Sequence, residues 1–144
     1  MTQIEFHFNS PDKLAYVCRL LRKAVSQGHR IIVASEPELL RRLDKALWAL
    51  SPHEFISHCT GGEDEFVLAQ SSVVLVENFA VLQQIPIAIN LRPEVPSEFA
   101  QFERLIEVVS DDPLDRAQAR ERWRHYTSMG YSLIRHDLNL KNAP

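Results

Sequence analysis

The chain has 144 residues, 45% of them hydrophobic and 24% charged, with a formal net charge of −3. These are the proportions of one globular domain with a real core, expected over residues 1–144, and the negative balance implies no general affinity for nucleic acid or anionic membrane. Two cysteines are too few for a disulfide framework, no apolar run approaches the roughly 20 residues of a membrane span, and MTQIEFHF is not a secretory leader. The expected compartment is the cytoplasm.

Residues 3–8 alternate in polarity and predict a strand. Ser10-Pro11-Asp12 starts a helix whose apolar positions, from Leu14 to Val25, recur at helical spacing and which Gly28 ends. Residues 30–34, RIIVA, read as a strand buried on both faces. Ser35-Glu36-Pro37-Glu38 resembles a capping box, and the helix it opens continues to about Leu50, where Ser51-Pro52 stops it. A short strand is expected at 55–57, and two apolar strands at 73–76 and 87–91. Residues 96–104 are expected to be helical with Phe99 and Phe102 turned inward, and 105–109 form a further strand. Asp111-Asp112-Pro113 then caps a long helix that runs to Gly130.

Strands that alternate with helices predict an α/β fold, a three-layer α/β/α sandwich with a mostly parallel central sheet. It is Rossmann-like without the nucleotide-binding glycine turn. The first two strand-to-helix turns read FNSPDK and ASEPE, and neither GxGxxG nor GxxxxGK[ST] occurs. Backbone N–H groups need glycine there to approach phosphates closely.

Catalytic and metal patterns are equally sparse. His53, His58 and Cys59 are close in sequence, but His58 and Cys59 are adjacent and point apart on a strand, with no CxxC or HxxxH partner. Cys59 reads as a small, partly buried residue rather than a nucleophile. GEDE at 62–65 reads as a solvated acidic run, and Asp111-Asp112 as helix capping. No cofactor, metal or intrinsic catalysis is expected.

The charge is unevenly placed. Residues 113–144 carry six basic and three acidic residues on an otherwise acidic body. On a helix at about 100° per residue, with Leu114 at zero, Arg116, Arg120, Arg124 and Thr127 fall at roughly 200°, 240°, 280° and 220°. Trp123 sits at about 180°, on the border of that stripe, while Ala119, Tyr126 and Met129 lie at lower angles toward the expected core. Guanidinium groups grip carboxylates or phosphates in bidentate fashion, and an indole offers a flat apolar wall. The stripe therefore fits an acidic, partly apolar peptide or single-stranded nucleic acid. The plain alternative is a solvated helix whose arginines pair with nearby acids. Overall negative charge puts the peptide ahead of nucleic acid.

The strings RLDKALWALSPHEFISH, INLRPEVPSEFAQFERLIEVV and ARERWRHYTSMGYSL, in this order and together with FHF and RIIVAS, closely resemble the chi subunit of bacterial DNA polymerase III. The match covers about residues 6–133; the segment SSVVLVENFAVLQQ is more variable ground. The resemblance implies a noncatalytic adaptor that pairs with the psi subunit, which tethers it to the clamp loader, and that binds the acidic C-terminal tail of single-stranded DNA-binding protein. Carried over residue by residue, it implies that Arg120 holds the tail's terminal carboxylate. Trp123, where the family admits tyrosine, lines the apolar pocket, and Val109 closes its floor. Arg124 and Arg116, where lysine also occurs, meet upstream aspartates. It implies a second surface at Trp48 and Phe55 for psi, which a helicase-like protein can use instead. The residues by themselves leave a core role open for both aromatics. Two other classes remain: a small α/β enzyme with an unrecognised nucleotide or acyl ligand, and a direct single-stranded DNA binder.

Overall fold

The computed structural model describes residues 1–49, 58–60, 71–79 and 85–141. Strand β1 (Gln3–Ser10) leads into α1 (Lys13–Ser26), β2 (Ile31–Ala34) and α2 (Pro37–Trp48). β3 (His58–Thr60), β4 (Val73–Val76), β5 (Ile87–Asn90) and β6 (Arg104–Ser110) follow. The chain closes with α3 (Pro113–Ser128), β7 (Leu133–Asp137) and a short α4 (Leu138–Lys141). The strands form one sheet in the order β3-β4-β2-β5-β6-β1-β7, and every pair is parallel.

Period-two alternation divides the sheet's side chains between two cores. Ile31 and Val33, with Val73 and Leu75, Ile87 and Ile89, and Ile106 and Val108, pack against Val17 and Leu21 of α1 and Leu43 and Leu47 of α2. Ile4, Phe6, Ile32, Ala34, Val74, Val76, Ala88, Leu105 and Val109 form the other core with Ala119 and Tyr126 of α3. Helices on both faces of a parallel sheet give the three expected layers. IIVA and VVLV are buried at every position, which is why they read as unbroken apolar runs rather than alternating ones.

The helix ends follow local chemistry. The side chain of Asp12 accepts the backbone N–H of Ala15, and that of Asp112 accepts the N–H of Asp115. Gly28 and Gly130, at φ of 81° and 91°, turn the chain out of α1 and α3 in the left-handed region where glycine has no Cβ penalty.

Four expectations fail. Residues 96–104 form no α-helix, only a 3₁₀ turn at Phe99–Gln101. Phe99 and Phe102 are still buried, because a spacing of three residues is one turn of 3₁₀ as much as a step along α. The capping box at 35–38 does not form. Pro37 takes the first helical position and makes Glu36 the N-cap, with no side-chain cap bond, leaving the Ser35 hydroxyl buried and unpaired. Met129 is 51% exposed, because the helix ends before it and it no longer follows the core seam. β7 was not expected at all. It is an edge strand with no buried position, and LIRHD carries little apolar signal. The strand expected at 55–57 lies outside the described residues, as do His53, Phe55 and the acidic run 62–65. His58 and Cys59 fall on β3, whose backbone alone is described.

Candidate functional site

The α3 helix is fixed over the sheet at its start and along its inner side. Asp115 accepts the backbone N–H of Ser110 at 2.8 Å and the Lys13 ammonium at 3.1 Å, tying the first turn to the end of β6 and to α1. Burial alone would raise the Asp115 carboxyl, but these partners hold it below its ordinary value. Further along, Arg122 is 2% exposed and donates to Glu107 of β6 at 3.0 Å and to the Pro93 carbonyl at 2.9 Å. The Tyr126 hydroxyl reaches the other Glu107 oxygen at 2.7 Å, and the Asn90 amide donates to the same carboxylate. Burial and the facing carboxylate push the Tyr126 hydroxyl far above its ordinary range. The seam Ala119, Arg122, Tyr126 thus sets the height and rotation of α3.

That rotation turns the next seam, Arg116, Arg120 and Trp123, over the C-terminal end of β1. A pocket of about 380 Å³ opens there, with Phe6, Phe8, Val109, Ala119 and Trp123 as apolar walls. Its polar groups are Asn9, Arg116, Arg120 and Arg135. The ring of Trp123 meets Phe6 edge-to-face at 5.0 Å, so the indole is held as a rigid wall. Arg135, from β7, lies over Phe8 at 5.3 Å and Trp123 at 5.9 Å from the ring centroids, a cation–π arrangement that keeps its charge at the rim. Asn9 adopts φ 65°, a left-handed conformation that asparagine tolerates, where the pairing of β1 with β6 shifts register. Its amide donates to Asp137 at 3.0 Å and joins β1 to β7 behind the pocket.

Four of the five residues inferred for tail binding therefore meet in one cavity: Arg120, Trp123, Arg116 and Val109. Arg124 does not line it. It is exposed and paired with Glu121 one turn back. Among the described residues, no carboxylate lies in ion-pair range of Arg116, Arg120 or Arg135. Among the described lining residues there is no carboxylate, histidine, cysteine or hydroxyl. Three cations around an aromatic cavity suit a ligand that is anionic and apolar at once.

Trp48, the last residue of α2, is 63% exposed, which removes the core reading for it. It stands in the opposite helical layer from the pocket, so the two surfaces are separate.

Sequence reasoning missed Phe6, Phe8, Asn9 and Arg135 as pocket residues. The alternation in FHF placed Phe6 and Phe8 on one face, but the unrecognised β7 hid the partner strand that brings Arg135 beside them. Arg122 was also missed as a core residue. On the helical wheel it falls at about 80°, near Tyr126 at about 120°, and an arginine on the apolar side is a signal for a buried acid partner.

The family model described as DNA polymerase III chi subunit, HolC, matches residues 1–134. The DNA polymerase III subunit chi of Pseudomonas aeruginosa is 33% identical over 143 residues, covering 96% of this chain and 98% of its own. The subunits chi of Haemophilus influenzae and Escherichia coli are each 27% identical; the matches cover 81% of this chain in both cases, and 81% and 80% of theirs. With a full-length match and a parallel α/β/α sandwich that agrees with it, the chain belongs to the DNA polymerase III chi subunit family.

Proposed function

We propose that the protein is a noncatalytic adaptor of the replication machinery whose α3 pocket binds the acidic C-terminal tail of single-stranded DNA-binding protein. The observation that carries this reading is the pocket's own composition: three guanidinium groups with no acid partner among the described residues, around an apolar cavity walled by Phe6, Phe8 and Trp123. The tail's terminal aromatic residue enters the cavity, and Arg120 takes its carboxylate. Arg116 and Arg135 stand at the rim to meet upstream aspartates. Arg124, already paired with Glu121, contributes through long-range charge only. The chain joins the clamp loader through the psi subunit, with exposed Trp48, together with Phe55, as the aromatic anchors of that contact.

Calorimetric titration with a peptide ending in Asp-Asp-Ile-Pro-Phe tests the pocket. The reading expects one peptide per chain and loss of binding when the terminal phenylalanine is replaced by glycine. Equal binding of both peptides would remove the apolar cavity from the site. Tighter binding of single-stranded DNA alone, falling steeply with salt, would favour a direct nucleic-acid role instead.

A further inference from the structure

The alternation that sends Phe6 and Phe8 toward α3 sends Glu5 and His7 to the other face of β1, beneath α1. Both are nearly buried, at 3% and 5% exposed. The parallel register of β1 and β7 sets His136 directly beside His7, and the two imidazoles lie 4.4 Å apart, centre to centre. Glu5 Oε1 is 3.2 Å from His7 Nε2 and 3.3 Å from His136 Nε2. One oxygen and two ring nitrogens thus converge, with one ligand atom of each residue within 4.8 Å of the others.

These separations suit a shared ion. Two ligands each about 2.0–2.1 Å from a tetrahedral zinc stand about 3.3–3.4 Å from one another, close to both oxygen–nitrogen gaps. The outer contacts suit it as well. The Tyr16 hydroxyl sits 2.5 Å from His7 Nδ1, so a proton on Nδ1 leaves the Nε2 lone pair facing Glu5 Oε1. Arg104 and Gln3 hold Glu5 Oε2 at 2.7 and 2.9 Å, which fixes the carboxylate and leaves Oε1 for the ion. His136, about one-third exposed on the edge strand, gives an entry path, and a water would be the fourth ligand. The positive charge of Arg104 sets the affinity below that of a site with anionic neighbours alone.

We propose that Glu5, His7 and His136 form a zinc site that staples the edge strand β7 to β1. Its place in the fold gives the ion a purpose. β7 delivers Arg135 to the pocket on one face and His136 to the ion on the other, so zinc would fix the strand that completes the pocket.

The test uses the full-length chain without a polyhistidine tag, stripped with a chelator and titrated with zinc chloride. The wild type is expected to bind one ion per chain and to melt at a higher temperature as free zinc rises. His136→Ala removes an edge ligand and should weaken binding tenfold or more. Tyr16→Phe keeps all three ligands and removes the hydroxyl that orients His7; such outer contacts are worth about 10–100-fold in metal affinity. Cobalt in place of zinc should give the intense visible bands of a four-coordinate site. A wild type that takes up no zinc at micromolar concentrations would overturn the proposal. So would a pale octahedral cobalt spectrum, or equal affinity in wild type and His136→Ala, which would place the ion on other histidines.

Discussion

Arg122 and Arg120 stand two residues apart on α3 and meet opposite conditions. Arg122 lies on the inner seam, 2% exposed, with its guanidinium bound to Glu107 and the Pro93 carbonyl. Arg120 lies on the outer seam, exposed, at the rim of a cavity with no acid partner among the described residues. A buried charge left without its partner is strongly destabilising, whereas an exposed one costs the fold little and remains available to a ligand. The helix thus uses one residue type to fix its own position and presents the same type to a cavity. Charge count alone cannot separate these roles; burial and partner do.

The sharpest way to break that contrast is Arg122→Ala. It leaves Glu107 buried with a lost cation and should cost about 3–5 kcal/mol of stability, read as a large drop in the urea midpoint with unchanged slope. A loss below 1 kcal/mol, on the order expected for a surface site, would show that the inner seam does not set the helix.

Next in size is Trp123→Ala, which removes the rigid wall against Phe6. An aromatic anchor of this kind is worth about 2 kcal/mol or more in binding, so titration with the acidic tail peptide should show at least a thirtyfold loss, about 2 kcal/mol. Full retention of affinity would move the ligand out of the cavity.

Trp48→Ala sharpens the separation of the two surfaces. Pull-down of psi should fall by a similar amount while tail binding and the circular dichroism spectrum stay at wild-type values. Loss of tail binding as well would couple the two helical layers.

The smallest effect belongs to Arg124→Ala. An exposed ion pair with Glu121 contributes about 0–1 kcal/mol to the fold, and the charge should alter tail affinity by about twofold at low salt and not at all at high salt. An effect as large as that of Arg120 would return Arg124 to the pocket.

Much of this was legible in the residues. Continuous apolar runs marked β2, β4 and β5 because those strands are buried on both faces. Asp12, Asp112, Gly28 and Gly130 marked helix ends because capping and positive φ are local chemistry. The wheel put Arg116, Arg120 and Trp123 on one seam because α3 is regular. What stayed hidden was set by partners distant in sequence. β7 has weak apolar character and exists because β1 offers an edge, so neither Arg135 nor His136 could be placed. Arg122 was given no role of its own because Glu107, its reason for burial, sits fifteen residues earlier on β6. Ser35 looked like a cap until Pro37 claimed the first helical position.

The central claim is that Arg120 receives a peptide's terminal carboxylate. It is tested most directly by calorimetric titration of wild type and Arg120→Ala with the acidic tail peptide in free-acid and amidated forms. Losing a hydrogen bond to a charged group costs about 1.5–3 kcal/mol, so the free-acid peptide should bind Arg120→Ala about tenfold or more weakly, with folding stability within about 0.5 kcal/mol of wild type. Amidation should weaken the wild type by a comparable factor and hardly change the mutant, because the pair is already broken there. Equal losses on amidation in wild type and mutant would contradict the assignment of the carboxylate to Arg120.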